Sequence, residues 1–387
     1  MTERRGNLIY LDNAATTKVL PEIQDYINGT MRDFYGNPSS IHFKGVLSKK
    51  FIDDSRHIVA GYIGANDNEI IFTSSGTEAN NMALKGFYYG FINKPVTIIT
   101  TVIEHKSILN TCEFLSKLGC NIKYLDVDSD GYISLTQLNN VCKECFENNE
   151  PFMASIQFAN NEIGTMQHIK DISEVVHKYG GIIHTDAVQA FPEIKIDVNE
   201  YGIDMMSVSG HKFGCPKGIG FLYIRNGINI EPLLHGGKQE FGLRAGTENI
   251  PYIVGIRKAV EILRNRSNED LYDKRNYLCE KLFCIKDCRL NGSIVDRLAN
   301  NINISFKDVD AESLLVLLDS KGIYVSSGSA CNSGSSELSY VLKAINVPDE
   351  YIGGSIRISV CDDITYDELD IVADEILNCV ESLRMFK

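Results

Sequence analysis

The chain has no apolar run long enough to cross a bilayer, and no apolar core follows Met1-Thr2-Glu3-Arg4-Arg5-Gly6-Asn7 as it would in a secretory signal. A cytoplasmic protein without membrane contact is therefore expected. Positive charge is scarce: 38 Lys and Arg stand against 51 Asp and Glu, for a net charge of −13, which argues against direct nucleic-acid binding as the main task. Low-complexity tracts are absent, as are repeats at solenoid or propeller spacing, which excludes those architectures. Cys142-Lys143-Glu144-Cys145 is a C-x-x-C pair, but it lies in a helix-like stretch without a second pair at zinc spacing, so no metal site is expected. The eleven cysteines read mostly as thiols packed as small hydrophobes in a reducing compartment.

What is present is a recurring strand followed by a helix. Short apolar runs at Leu8–Leu11, Glu69–Phe72, Val96–Thr100, Ile122–Leu125, Phe152–Phe158, Gly181–Asp186 and Ile219–Ile224 read as strands. Helical periodicity fills Pro21–Met31, Val46–Ile63, Leu135–Phe146, Ile169–Tyr179 and Tyr252–Arg264. This alternation predicts an α/β fold, a mainly parallel sheet with helices on both faces. The 387 residues suffice for two domains, and the polar link from Asn265 to Asp270 marks the boundary. Beyond it, helix and strand alternate on a smaller scale, with a Gly/Ser-rich stretch from Val325 to Glu337 that holds a single cysteine, Cys331.

Ligands in such sheets gather at the carboxyl ends of strands, and polar clusters sit at several of them. Lys212 follows Ser209-Gly210-His211 between two strands, where an amine stands beside hydroxyl and imidazole donors. Pyridoxal 5′-phosphate needs such an amine for a Schiff base. It also needs a carboxylate for its ring nitrogen (Asp186), a donor to its phenolate (Gln189), an aromatic lid (His105) and a phosphate cradle (Gly76, Thr77, Ser209, His211). Singly, each residue has an ordinary alternative: Asp186 as a helix cap, His105 as a satisfied polar residue, Thr73–Asn81 as a plain N-cap. Caps alone do not account for candidates at successive strand ends.

These residues lie within longer motifs. Tyr-Leu-Asp-Asn-Ala-Ala-Thr-Thr begins at Tyr10, Gly-Asn-Pro-Ser-Ser-Ile-His at Gly36, Asn-Asn-Glu-Ile-Gly at Asn160, Arg-Ala-Gly-Thr-Glu-Asn at Arg244, and Ser-Ser-Gly-Ser-Ala-Cys at Ser326. With them the chain resembles, over nearly its whole length, the NifS/IscS-type cysteine desulfurases of the class V aminotransferase fold.

The resemblance implies a pyridoxal-phosphate transferase type I fold with a mainly parallel seven-stranded sheet. It places a large cofactor domain at 15–264 and a smaller α/β domain at 1–14 and 265–387. It also implies that Lys212, Cys331 and His105 are catalytic, with His105 the first candidate to accept the Cys331 thiol proton. Gly76, Thr77, His105, Asn161, Asp186, Gln189, Ser209, His211 and Lys212 would bind the cofactor. Thr247 would reach the phosphate of the other subunit of a homodimer. Asn13, Asn161 and Arg357 would bind the substrate, L-cysteine. The product would be L-alanine and a persulfide on Cys331, passed to an acceptor or scaffold protein in iron–sulfur cluster assembly or tRNA thiolation. The competing readings are a class V aminotransferase, a selenocysteine or other C–S lyase, and a non-catalytic scaffold. The chain departs from the family at Lys238, Phe241, Leu338 and Val360-Cys361-Asp362-Asp363.

Overall fold

The computed structural model describes residues 8–91, 94–327 and 338–385. In chain order, β1 (Ile9–Tyr10) leads to α1 (Pro21–Asp33) and α2 (Phe43–Ile63). Proline opens α1, where its missing N–H costs nothing, and Ile23 and Ile27, one turn apart, face the core. The His42 side chain accepts the Gly45 N–H at the start of α2, and Gly64 ends the helix at a φ of +73°. The chain continues with β2 (Ile70–Thr73), α3 (Gly76–Gly90), β3 (Thr97–Thr101), α4 (Lys106–Lys117), β4 (Asn121–Leu125) and α5 (Leu135–Glu147). There follow β5 (Phe152–Ser155), α6 (Ile169–Lys178), β6 (Ile182–Asp186), β7 (Met205–Ser209), β8 (Gly220–Ile224) and α7 (Ile250–Leu263).

These strands form one seven-stranded sheet in the order β2-β8-β7-β6-β5-β3-β4. Only β8 runs against its neighbours β2 and β7; the other pairings are parallel. Alternate strand residues enter different apolar clusters: Ile70, Phe72, Ile99, Ala154, Met206, Val208 and Phe221 pack in one, and Ile71, Ile98, Met153, Met205 and Leu222 in the other. Both faces are thus covered by helices, which is why these strands read as continuous hydrophobic runs.

The remainder comprises α8 (Glu269–Leu282), β9 (Cys288–Leu290), β10 (Asn301–Phe306), α9 (Ala311–Ser320), β11 (Ile323–Tyr324), β12 (Ser326–Ser327), α10 (Tyr340–Ala344), α11 (Asp349–Ile352), β13 (Ser355–Ser359) and α12 (Tyr366–Met385). An antiparallel sheet β12-β13-β10-β9 forms here, and β1 pairs with β11. Ile9 and Leu11 pack with Leu278, Leu318, Ile356 and Val372, so the N-terminal strand shares a core with the C-terminal segment.

The strand expected at Phe152–Phe158 stops at Ser155. Ile156 and Phe158 still donate to His184 and Asp186 carbonyls on the β6 side. On the other side the Gln157 N–H goes to the Glu104 carboxyl instead of to β3, so the ladder opens there. Cys142 and Cys145 are buried free thiols on α5. No His, Cys, Asp and Glu cluster able to hold a metal occurs among the described residues, and no helix among them is long and apolar enough to cross a membrane.

Candidate active site

The turn from β2 into α3 builds one wall. The Ser75 hydroxyl accepts the Glu78 N–H at 3.1 Å, and the first amides of the helix are left without intrahelical partners. Gly76 is dictated by space: a Cβ would lie 2.6 Å from Cγ2 of Val188, a stiff β-branched side chain. Glu78 accepts the Ser74 N–H at 2.7 Å and Arg244 Nε at 2.8 Å, which fastens the glycine-rich loop at 234–249 to this helix start.

Asp186 ends β6. Its Oδ1 accepts the Val188 N–H at 3.0 Å and its Oδ2 accepts Asn80 Nδ2 at 2.7 Å. The same Asn80 nitrogen donates to Ser107 Oγ at 2.8 Å. His105 caps α4, with Nδ1 accepting the Ser107 N–H at 3.1 Å and lying 2.7 Å from Ser107 Oγ. A neutral ring whose Nδ1 accepts carries its proton at Nε2. Proton exchange at this ring then runs through Nε2.

Lys212 ends a short turn after β7. Its Nζ donates to the carbonyls of Ala14 at 2.5 Å and Ala15 at 2.8 Å, and Gln189 Nε2 donates to the same Ala14 carbonyl at 2.9 Å. The Thr17 N–H donates to the His211 carbonyl at 2.9 Å, so the N-terminal turn and the lysine turn form one unit. His211 lies 3.2 Å from Thr16 Oγ1 through Nδ1, and burial, with Lys212 and Lys217 nearby, pushes its pKa down to about 4; the ring is neutral.

The opposite wall carries Asn161, Glu162 and Arg357. The Arg357 side chain is 3% exposed, with Nη1 donating to the Asn161 carbonyl and Nη2 pairing with Asp12, both at 2.9 Å. Its Nε is buried without a partner among the described residues. Burial drives two nearby carboxyls upward: Glu104 to about 8, against hydrogen bonds from Gln157 and Thr101, and Glu162 to about 7, against the Ser339 hydroxyl and the charge of Arg357.

A single cavity of about 280 Å³ joins these walls. It is lined by the sequence-predicted Gly76, Thr77, His105, Asn161 and Asp186, and equally by Gln189, Ser209, His211, Lys212 and Arg357. Asn13 is not among the lining residues; its amide donates to the Ser359 carbonyl at 3.1 Å. Thr247 lies outside the cavity, on the glycine-rich loop. Cys331 lies outside the described residues. Sequence reasoning missed Asn80, Lys106, Ser107, Glu162 and Tyr340, all lining the cavity. Asn80 and Glu162 sit inside quoted polar motifs, which was a usable signal; nothing local marks Tyr340.

Residues 9–372 match the Aminotransferase class-V family. The chain is 46% identical over 379 residues to a cysteine desulfurase IscS of Methanosarcina thermophila, covering 97% of this chain and 93% of that protein. It is 43% identical over 380 residues to a cysteine desulfurase IscS of Dictyoglomus turgidum, covering 97% and 95%. Among solved structures, a NifS-like protein superposes with a TM-score of 0.90 at 36% identity, over 97% of this chain and 100% of that one. A structure of SspA in complex with cysteine does so with a TM-score of 0.80 at 35% identity, over 91% and 98%.

Proposed function

The chain belongs to the class-V aminotransferases, among their NifS/IscS-type cysteine desulfurases, and from that premise we propose that it takes sulfur from L-cysteine, releases L-alanine and holds the sulfur as a persulfide on Cys331. The observation that carries this reading is the convergence of an amine (Lys212), a carboxylate (Asp186), an imidazole (His105) and a guanidinium (Arg357) on one cavity.

The cavity fits pyridoxal 5′-phosphate. The helix start at Gly76 and Thr77, with Ser209 and His211, offers donors for a phosphate, and the missing Cβ at Gly76 keeps that corner open. Asp186 would face the ring nitrogen, Gln189 the phenolate, Lys212 the aldehyde and His105 the ring face. When bound, the cofactor withdraws electrons from the substrate's α-carbon.

The chain's own residues supply the rest. Arg357, fixed by Asp12 and the Asn161 carbonyl, is oriented before a substrate carboxylate arrives, and its Nε has no partner among the described residues. Asn161 would assist at the same carboxylate. Asn13, bonded to β13, holds the backbone beside Arg357. The Lys212 amine takes the α-proton at Nζ, and His105 offers a proton from Nε2. The Cys331 thiolate attacks the substrate sulfur, so that an S–S bond forms and the C–S bond breaks. The electron pair stays with the carbon, and a proton there completes alanine. Only roughly a few per cent of an unperturbed thiol is ionised near neutral pH, so Cys331 needs deprotonation before it attacks.

The same reading implies a cytoplasmic homodimer in which Thr247 reaches the other subunit's phosphate. In its support, Tyr35, Ile41, Phe43 and Val46, close in the chain, are all exposed, Ile41 by 99% and Phe43 by 75%, apolar surface that a second copy would cover. The sulfur acceptor would be a protein of iron–sulfur cluster assembly or tRNA thiolation.

Mass spectrometry after incubation with L-cysteine tests the proposal. One added sulfur, removable by a reductant, is expected on the Cys331 peptide. Alanine formed at the wild-type rate by Cys331→Ala would overturn it in favour of a transaminase or lyase.

A further inference from the structure

The stretch that contains Cys331 is fastened at both flanks to the same wall of the cavity. Upstream, Ser326 pairs with Arg357 between β12 and β13. Downstream, Ser339 Oγ donates to Glu162 Oε2 at 2.6 Å while it accepts the Leu342 N–H at 3.2 Å as the cap of α10. The adjacent Tyr340 donates to the Glu104 carbonyl at 2.6 Å, and Lys106 Nζ lies 4.1 Å from its ring centroid.

Glu162 itself is held firmly. Its N–H donates to Asn160 Oδ1 at 2.8 Å, and its carbonyl accepts Asn301 Nδ2 at 3.2 Å and Asn303 Nδ2 at 3.1 Å, both from β10. The side chain is buried, and the groups that face it are basic: Arg357 from β13, with Asp12 as that arginine's partner, and Lys106 and His105 from the start of α4. The next link is short, because Arg357 Nη1 donates to the carbonyl of Asn161, the residue before Glu162.

We propose that Glu162 is a positioning residue for sulfur transfer: through Ser339 it fixes the start of α10, and with it the point from which the chain runs back to Cys331, on the same wall that carries Arg357. The proposal rests on the desulfurase reading. Eight positions separate Cys331 from Ser339, a contour of up to about 27 Å when extended. An unfixed start would therefore spread the thiol over a large volume without touching the cofactor-side chemistry. Ionised Glu162 is the stronger acceptor for Ser339. Burial raises its pKa to about 7, against the Ser339 hydrogen bond and the positive charges of Arg357 and Lys106. The anchor therefore tightens as pH rises through neutrality.

Single-turnover measurements on the cofactor-loaded enzyme separate two steps. Cysteine binding is read from the cofactor's absorbance, and sulfur arrival on Cys331 from quenched-flow mass spectrometry. Ser339→Ala, outside the cavity lining, should leave the first step within about twofold, and Glu162→Ala and Ser339→Ala should each slow the second on the order of tenfold, as expected for loss of a hydrogen bond to a charged group. The double variant should be no slower than either single one. Glu162→Gln, which keeps an acceptor but cannot ionise, should retain most of the rate at pH 6 and fall behind the wild type at pH 8. Equal slowing of both steps, additive single effects, or a wild-type-to-Gln ratio that does not change with pH would each overturn the proposal. If the wild type itself places no sulfur on Cys331, the desulfurase reading fails and this proposal falls with it; a normal wild type beside unaffected variants removes Glu162 alone.

Discussion

Lys212 reaches the cavity from a turn that is itself bonded to the N-terminal segment, so its amine is aimed before any ligand arrives. Lys212→Ala removes that amine while leaving Asp186 and the start of α3 in place. We expect complete loss of turnover, with the cofactor retained as the free aldehyde in its absorbance spectrum. A borohydride-reducible adduct on another lysine would assign the role elsewhere. Asp186 is held by Asn80 and the Val188 N–H, and Asp186→Asn keeps its shape but cannot stabilise a protonated ring nitrogen. Turnover should fall on the order of a hundredfold or more with cofactor still bound; near-normal kcat would remove Asp186 from this role.

At the scale of elements, the glycine-rich loop is locked to the large sheet by a buried ion pair. Both oxygens of Glu240 meet Arg56 at 2.8 Å, and the same carboxylate accepts the Phe72 N–H at 2.8 Å. The Arg56 guanidinium lies 4.8 Å from the Phe72 ring and 4.9 Å from the Phe241 ring. Phe241, one of the departures from the family pattern, thus covers a buried cation where a basic residue would repel it. Glu240 and Phe241 adopt φ values of +46° and +57°, a conformation that side chains avoid unless contacts hold them. Glu240→Ala would strand Arg56 in the interior, and a loss of about 3–5 kcal/mol is expected by denaturant titration. A loss under about 1 kcal/mol would show that the loop is held by other contacts. Phe241→Arg should also destabilise, by like-charge repulsion.

For the whole molecule, we propose the division into 15–264 and 1–14 with 265–387, because one apolar cluster draws only on Ile9, Leu11 and residues 271–380, although Leu298 packs with the large-sheet cluster. Ile103 and Ile163 join Val341, Leu342 and Ile345 in a cluster that ties α10 to the ends of the large sheet. If the patch at Ile41 and Phe43 is the dimer face, Ile41→Asp with Phe43→Asp should shift the protein to a monomer in analytical ultracentrifugation. An unchanged mass would place the dimer elsewhere or exclude it. The buried Glu104 gives a stability prediction. Desolvation raises its pKa to about 8 from 4.5, so between those values the folded chain keeps a proton that the unfolded chain releases. Stability is therefore lost as pH rises through this window. Glu104→Gln cannot ionise in either state, so its melting temperature relative to wild type should rise from pH 5 to pH 8; an offset that stays constant would contradict the assignment.

The sequence by itself determined the alternation of strands and helices, the polar clusters at strand ends and the amine at Lys212, because side-chain period and turn chemistry are local properties of the chain. It also placed α1, α5 and α6 to within a few residues. Only the tertiary structure decided the end of β5 at Ser155, where Glu104 takes the next amide, and the short strands β9, β11 and β12, too brief to carry a period of their own. The same holds for the site's finer chemistry. Arg357 pairs with Asp12 across 345 positions, the carbonyls of Ala14 and Ala15 orient Lys212 from nearly 200 positions away, and the tautomer of His105 depends on Ser107 and, beyond it, on Asn80. Hydrogen bonds between groups so distant in the chain leave no periodic trace in it; they exist only once packing has brought the strand ends together and burial has made each polar group require a partner.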